Sequence, residues 1–596
     1  MTSLETKPGH AAPPAWALRQ RHLIDVMNEA APAFVARYTR SDGSFVWREE
    51  WPGFDGSDDG YESYHNWPLF YALGGSSWVH EASRWLWEAV TQQFTAYGQV
   101  HREFDANYDW MHHGESSIYF YYFGLADPSR ARDRARTLRF ARMYTGGDPS
   151  APNWDAERRM IRSPITGSRG PRFENAWDDW STHRAVLANY PAPFEDIPGV
   201  PGPVADWNDD RVYAEILRLL NERQMRCDVP LNLTSTSLVT HAYLYTGDPA
   251  WRRWVLDYVE AWADRIAANR GICPDNIGPN GVIGETMGGK WWGGYYGWRW
   301  PHGFMTIIQP LTIAAMNAVL LTGDMGYLDI PRGQLDRMMA MGRQTERGIE
   351  IPNRHTDQGW GDYRPMRPEY PIQIWAMSQA EADRQRVEAI APQGDAWEQV
   401  APGRGKGDDI HIAPWYRYMT GRNASYPERS LEAQYSEVAR RLDAMAHDDG
   451  DPEEWDVHHW QDINPVHTEA LVQLSCGGPQ IIYHGGLLHV RLRYYDLDER
   501  RPGLPSHVAA LVSRIDDDAV QVTLTNTSPQ HARSVRLLPG AFGEHRFTRA
   551  EAVGAQSAAV EVKGLGVDVR LAPASEITLH LSMRRYAGNP SYELDM

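Results

Sequence analysis

The chain has 596 residues, with 59 basic and 78 acidic side chains, and its formal net charge is −19 at pH 7. So acidic a chain is poorly suited to hold a nucleic-acid backbone by counterion release. Its hydrophobic fraction of 42% excludes a mostly disordered protein. No run of about 18 apolar residues occurs, so no membrane span is expected.

Residues 1–50 are predicted to form an N-terminal helical extension. They show no basic start followed by an apolar core, the pattern of a secretory signal. The three cysteines, Cys227, Cys273 and Cys476, fit neither a disulfide framework nor a CxxC zinc site. These features predict a cytoplasmic protein. No cofactor and no bound metal are expected, and the oligomeric state stays open.

A repeated helix–turn–helix pattern dominates residues 51–478. An apolar helix ends at Gly, and Asp or Ser then caps a charged helix, as around Gly74, Gly247 and Gly323. Because an apolar helix is surrounded by protein, the first helix of each pair should be the inner one. The pattern predicts an (α/α)6 toroid, complete or incomplete. Its inner helices are expected near 62–73, 111–124, 231–246, 303–322, 411–420 and 464–475.

Long segments rich in Gly, Pro, Asp and Trp interrupt these hairpins. They lie near 146–229, 270–302 and 348–410, and loops of such length are commonly functional. From about residue 479 to 596, short runs of β-branched residues alternate with turns, which predicts an antiparallel β-sandwich. The expected fold class is therefore mainly α, with a toroid followed by a smaller β domain.

The predicted inner helices begin with an unusual set of His, Asn, acidic and aromatic side chains. Helices of a toroid that run in the same direction bring their N-termini to one mouth, where free N–H groups favour an anionic ligand. Capping alone also recruits Asn and Asp to helix starts, so a structural role is the alternative for each residue. Predicted catalytic residues here are Asn66, His112 and His113, and predicted substrate-binding residues are His65, Trp67, Trp110, Glu115, Asn232 and His411.

The insert 271–303 places charged and aromatic side chains among glycines, which let a ligand approach the backbone closely. The chain has 25 Trp, 29 Tyr and 14 Phe, and such rings stack on sugar faces. The insert is therefore predicted to bind a sugar. Predicted catalytic residues are Tyr296, Arg299 and His302, and predicted substrate-binding residues are Glu285, Lys290, Trp291, Trp292, Trp298 and Trp300.

With these hairpins, Trp/Tyr-rich inserts and terminal strands, the chain resembles the toroid-fold polysaccharide lyases that act on alginate, hyaluronate and heparin-like chains. The resemblance implies β-elimination at a uronic acid of an oligosaccharide or polysaccharide. A base removes the proton next to the carboxylate, a cationic or amide group neutralises that carboxylate, and an acid protonates the leaving oxygen. Asn66, His113 and Arg299 would neutralise; Tyr296, His112 and His302 would move protons.

The net charge favours action at the ends of short uronate fragments. The acidic surface would repel a long polyuronate, whereas a short fragment in a local pocket is screened from distant charges.

Two alternatives stay open. One is a glycoside hydrolase that uses two carboxylates, for which the chain offers Asp59, Glu62, Asp109, Glu115, Glu285 and Asp409. The other is a sugar-binding protein without activity, or a sugar isomerase or epimerase of the same shape.

Overall fold

The computed structural model of the protein describes residues 2–9, 12–52, 56–180, 183–403, 405–407, 409–554 and 559–593. Antiparallel helical hairpins follow one another along the chain, and their first helices are the more deeply buried ones. The first helices are Trp67–Leu73, Trp110–Ala126, Ser235–Thr246, Met305–Thr322, Glu369–Ser378 and Ile412–Met419. Their partners are Ser77–Ala96, Ala131–Tyr144, Pro249–Ala268, Asp329–Ala340, Glu381–Ile390 and Tyr426–His447.

The turns inside the hairpins follow the predicted capping chemistry. Gly247 and Gly323 end their helices with φ of 63° and 76°, in the left-handed region that favours glycine. The Asp248 carboxylate then accepts the N–H of Ala250 and begins the next helix. These contacts confirm the helix–turn–helix pattern that the sequence predicted.

The helical region closes on itself. Each first helix from Trp67–Leu73 to Ile412–Met419 contacts the next one along the chain. At the end of the series, the Asn464 side chain donates a hydrogen bond to Asn66 (3.0 Å) and accepts one from the Trp67 indole (2.9 Å). Closure brings the starts of the first helices to the same end of the protein.

The segment 348–410 is not the long loop that the sequence predicted. It forms a β-hairpin of strands Gly348–Thr356 and Gly359–Pro365, followed by the helical hairpin Glu369–Ser378 and Glu381–Ile390. The prediction was wrong because each helix has only 10 residues, too few to show a clear helical period. Other helices are Ser57–Glu62, Arg184–Leu187, Asp210–Arg223, His459–Ile463 and Glu469–Leu471. Short strands are Val100–His101, Phe104–Asp105, Trp154–Asp155, Met160–Ile161 and Arg343–Thr345.

The C-terminal region holds two five-stranded sheets within the described residues. In spatial order, the first contains Thr2–Glu5, Val567–Leu571, Arg533–Pro539, Leu492–Asp496 and Arg501–Pro502, and the second contains Val508–Ile515, Ala519–Asn526, Glu576–Arg584, Arg546–Ala552 and Val560–Glu561. The N-terminal strand pairs in parallel with Val567–Leu571. The sequence predicted only helix before residue 50 and only antiparallel pairing; a strand of four residues is too short to be recognised by alternation. The expected N-terminal helix is Ala15–Tyr38, which packs on Tyr426–His447.

Arginines of the sheet region bind the carbonyl ends of the inner helices. Arg493 donates to the Leu125 carbonyl oxygen (2.7 Å), Arg491 to that of Ala376 (3.1 Å) and Arg585 to that of Ser378 (2.9 Å). The last carbonyls of a helix have no partner within it, so these guanidinium groups cap them. The sheets thereby hold the helix ends opposite to the helix starts.

Among the residues that the structure describes, one helix, Met305–Thr322, is long and apolar enough to cross a membrane by length and composition. Of its length, 89% is buried inside the protein. This burial is typical of the core helix of a folded domain, so its apolar character is explained by the neighbouring helices.

The capping role of Arg493 predicts that Arg493→Met lowers the free energy of unfolding by at least about 2 kcal/mol, because two hydrogen bonds from a charged group are lost. Arg500→Met is the matched control, since Arg500 is exposed. Thermal unfolding midpoints of the two variants provide the measurement. Equal midpoints would contradict the capping role.

Candidate active site

A cleft of about 570 Å³ lies where helix Trp110–Ala126 begins, facing the insert 271–303. Histidine, tyrosine, acidic and lysine side chains converge on it from several separate segments of the chain. Its lining includes Tyr108, Asp109, His112, Glu115, Trp180, Tyr190, Tyr295, Tyr296, His302, Lys406 and His484. Two of the first helices contribute the residues before or at their starts, Trp110–Ala126 and Met305–Thr322, and most of the rest of the lining comes from loops.

His112 is held in the cleft by Asp109, the residue that caps the helix. One carboxylate oxygen of Asp109 accepts the Met111 N–H (2.9 Å) and lies 2.9 Å from His112 Nδ1. Burial of Asp109 opposes ionisation, but the adjacent His112 imidazole brings the pKa of the carboxyl below its ordinary value. An imidazole that donates its Nδ1–H to a carboxylate carries its lone pair on Nε2, as a general base requires.

Aromatic rings surround this imidazole. The Tyr108 ring packs on His112 at a tilt of 34°, with ring centroids 4.0 Å apart. The Tyr296 ring centroid lies 6.5 Å from that of His112 and 5.5 Å from that of His302. Tyr296 has a φ of 49°, a left-handed conformation that costs a non-glycine residue energy. Thr306 binds its carbonyl oxygen through the hydroxyl and holds this backbone in place. The strained residue thus lies between the two histidines.

His302 is neutral in this cleft. Burial lowers the pKa of its imidazole to about 4, and His484 and His112 act in the same direction when they are charged. Within the described part of the chain, its Nδ1 has no hydrogen-bond partner. A neutral imidazole can donate one N–H to a ligand oxygen without adding a charge.

Glu115 and His484 form a pair at the floor of the cleft, with Nε2 of His484 2.8 Å from the Glu115 carboxylate. Burial disfavours a charged Glu115, yet His484 lowers the pKa of this carboxyl far below its ordinary value. His484 reaches the helix because Gly114 lies against its backbone: a Cβ at Gly114 would be 2.2 Å from the His484 carbonyl oxygen. The glycine is therefore required for this pair.

An acidic cluster lies behind the pair. Carboxylate oxygens of Asp58, Asp59, Glu62 and Glu115 lie within 4.8 Å of one another. Such oxygens suit a hard cation, but the Lys406 ammonium already lies 2.6 Å from Asp59 and 3.9 Å from Glu62. Burial, opposed by Lys406 and reinforced by Glu115, raises the pKa of Glu62 well above its ordinary value.

Four predicted site residues line the cleft: His112, Glu115, Tyr296 and His302. Trp300 packs under Tyr296, with ring centroids 5.0 Å apart. The remaining predicted residues lie outside the lining of this cleft, mostly because they form contacts that hold the fold.

The side chains predicted at the first helix start are interior ones. Asn66 and Trp67 bind Asn464 where the helical region closes. His65 and Trp110 are buried at 4% and 0% exposure, and neither lines the cleft. Asn66 is thus placed away from the predicted role of neutralising a substrate carboxylate.

His113 also points away from the cleft, in contrast to its neighbour His112. Its Nδ1 lies 3.1 Å from the Asp105 carboxylate and its Nε2 lies 2.9 Å from the Thr166 carbonyl oxygen. Successive helical residues point about 100° apart, so the two histidines cannot share one site. Asn232 is buried too, donating 2.9 Å to the Asp228 carboxylate.

Charged residues of the insert are paired with neighbours outside the cleft. Arg299 forms an ion pair with Glu195 and donates 2.7 Å to the Ala192 carbonyl oxygen. Lys290 lies 2.8 Å from Asp357. These partners explain how the insert buries charged side chains without a ligand. The sequence alone could not distinguish such internal ion pairs from ligand-binding residues.

The other predicted residues of the insert also serve its structure. Glu285 accepts the Asn280 backbone N–H at 2.9 Å and so closes a turn. Trp291 and Trp292 pack against His355, with ring centroids 4.7 and 4.5 Å away. No sugar platform formed by these two rings borders the described cleft.

Trp298 and His411 stabilise loops. The Trp298 indole donates to the Cys273 carbonyl oxygen (2.8 Å). His411 donates to the Glu469 carboxylate (3.0 Å) and to the Ala401 carbonyl oxygen (2.9 Å). Burial opposes protonation of His411, but Glu469 raises the pKa of its imidazole, so it serves as a charged bridge.

Sequence reasoning missed Lys406 and His484 as site residues. Lys406 is one of only four lysines in the chain, and this rarity was a usable signal. His484 precedes the pair Gly485 and Gly486 in the connection to the sheets, where no helix start drew attention to it.

A family model described as "Domain of unknown function (DUF8034)" matches residues 3–351 and 340–472. No curated protein sequence matches the chain. The protein is similar in structure to a D-mannose isomerase (9% identity, 72% of this chain and 100% of that chain, TM-score 0.38). It is also similar to the GH76A alpha-1,6-mannanase of Salegentibacter sp. HEL1_6 (12% identity, 62% of this chain and 85% of that chain, TM-score 0.29). A third similar structure is the unsaturated glucuronyl hydrolase of Bacillus sp. GL1 (11% identity, 79% of this chain and 100% of that chain, TM-score 0.32). All three are carbohydrate-active enzymes.

The buried environment of His302 predicts that its imidazole titrates near pH 4. Because this folded-state pKa lies below the ordinary value of 6.5, the associated stability is present above pH 6.5 and is lost as the pH falls through about 4. NMR of histidine-labelled protein, with His302→Gln for assignment, measures the midpoint. A midpoint near 6.5 would refute the neutral-imidazole assignment.

Proposed function

The chain belongs to the DUF8034 family, and we propose that it is a carbohydrate-active enzyme that moves a proton at a sugar carbon next to a carbonyl group, as isomerases and epimerases do. The observation that carries this proposal is the arrangement of the cleft. His112, oriented by Asp109, faces a pocket whose other wall holds Tyr296 and the neutral His302.

The lining of the cleft supports a sugar as the ligand. Trp180, Tyr190, Tyr295 and Tyr296 contribute rings with polar edges, which can pack on sugar faces and bind hydroxyl groups. Its volume of about 570 Å³ lies in the usual range for small-molecule sites. An acidic protein whose cleft is backed by carboxylates favours a neutral sugar over an anionic one.

The chemistry requires a base and a hydrogen-bond donor on the carbonyl oxygen. His112 Nε2 takes the proton from the carbon next to the carbonyl, and the C–H electron pair forms the enediolate. His302 donates an N–H to the oxygen on which negative charge develops. Return of the proton to the neighbouring carbon gives the isomer when the hydroxyl proton of the enediolate moves to the former carbonyl oxygen. Return of the proton to the other face of the same carbon gives the epimer.

The carboxylates near the cleft are less well arranged for glycoside hydrolysis than His112 and His302 are for proton transfer. Asp109 already binds Met111, His112 and Tyr295, and Glu115 binds His484. A hydrolase needs two carboxyl groups about 5–5.5 Å apart for retention or about 6.5–9.5 Å for inversion. Glu62 and Glu115 have oxygens within 4.8 Å, but Glu62 does not line the cleft.

A second candidate is β-elimination from short uronate fragments. Arg169 favours it, because this exposed guanidinium lines the same cleft and its side chain forms no hydrogen bond or ion pair with the described residues. Such a group could neutralise a substrate carboxylate. His112 would be the base in this reaction as well.

We expect the protein to exchange the hydrogen next to the carbonyl of a neutral aldose with deuterium from D2O. Proton NMR and mass spectrometry of a panel that includes mannose, glucose and short uronate oligosaccharides provide the readout. An unsaturated uronate product would support the lyase instead, and a new reducing end without exchange would support a hydrolase. The absence of exchange in every neutral sugar overturns the isomerase proposal.

Variants identify the groups involved. His112→Gln and Asp109→Asn should each lower the exchange rate by at least about 100-fold, because the base is removed or loses its orienting carboxylate. His447→Gln is the matched control on the exposed surface and should retain the wild-type rate. Equal rates in His112→Gln and His447→Gln would exclude His112 as the base.

A further inference from the structure

A second cavity of about 260 Å³ adjoins the cleft. Lys406 and His484 line both spaces and form the boundary between them. We call this cavity the glutamine chamber, because Gln309, Gln373 and Gln480 line it. None of these glutamines belongs to the proposed proton-transfer machinery.

The chamber is lined by buried polar atoms without partners. Gln309 Oε1, Gln480 Oε1 and the Tyr483 hydroxyl have no hydrogen-bond partner among the described residues. Their side chains are only 4%, 3% and 7% exposed. An unsatisfied buried polar group costs about 1–3 kcal/mol, so a group of them around one cavity indicates a polar ligand that supplies the missing hydrogen bonds.

The charges around the chamber are already paired. Arg367 forms an ion pair with Glu369, and Glu469 forms one with His411. Lys406 faces Asp59 and Glu62 on its other side. Two further lining atoms, Glu369 Oε2 and His484 Nδ1, also have no hydrogen-bond partner among the described residues. Because the amide oxygens and the Glu369 carboxylate oxygen are acceptors, they favour a ligand that donates hydroxyl hydrogens over a phosphate or a carboxylate.

The volume is sufficient for a small polar ligand. A cavity of about 260 Å³ is far larger than the space that one water molecule needs, so a sugar ring is a ligand of suitable size. Because Lys406 and His484 line both spaces, a ring in the chamber would lie next to a ring in the cleft.

We propose that the glutamine chamber is a second sugar subsite, so that the substrate is a disaccharide or longer neutral glycoside bound across the Lys406–His484 boundary. This inference rests on the proposed function for the identity of the reacting sugar. The reacting ring lies at His112, and the chamber binds the neighbouring ring through Gln309, Gln480 and Tyr483.

Calorimetric binding tests the subsite independently of turnover. The probes are maltose, cellobiose and 1,6-linked mannobiose, compared with glucose and mannose. We expect at least one disaccharide to bind about 10-fold or more tightly than either monosaccharide. Gln309→Leu should remove this preference, and the milder Tyr483→Phe should reduce it. Gln530→Leu makes the same change at an exposed site in the sheet region and should leave the preference unchanged.

The outcomes separate the two proposals. Deuterium exchange into monosaccharides with no preference for any disaccharide would leave the proposed function standing and overturn the subsite. Disaccharide binding that is lost in Gln309→Leu, without exchange, would support the subsite and refute the isomerase. Failure of every disaccharide to bind, or a preference that survives in both chamber variants, also overturns the subsite.

Discussion

The carboxylate of Asp109 is the interaction on which the rest of the cleft depends. It caps helix Trp110–Ala126, binds His112 Nδ1 and accepts the Tyr295 hydroxyl at 3.2 Å. A single buried group thereby fixes the helix start, the proposed base and the glycine-rich insert relative to one another. Precise placement of this kind is what proton transfer needs, because a small misplacement of the base strongly lowers the rate.

The second constraint is the balance of charge beneath the cleft. Four buried carboxylates would repel one another, and Lys406 and His484 offset that repulsion from one side. The same two residues separate the cleft from the glutamine chamber. The two side chains that contact the acidic cluster thus also shape the space that a ligand can occupy.

The hairpin pattern and the C-terminal strands could be predicted from capping residues and hydrophobic period. The sequence could not separate His112 from His113, because one turns toward the cleft and the other binds Asp105 and Thr166 inside the protein. Arg299 shows the same limit: its partner Glu195 lies about a hundred residues away along the chain. The place of His484 in the cleft could not be predicted from the sequence, because it depends on the close contact of its backbone with Gly114.

A crystal structure of the protein with a bound neutral disaccharide tests the central claim most directly. The account predicts a sugar carbon next to the carbonyl group about 3–3.5 Å from His112 Nε2, with its oxygen facing His302. The second ring should contact Gln309. A sugar held instead on Trp291 and Trp292, with His112 touching no part of it, would contradict the account.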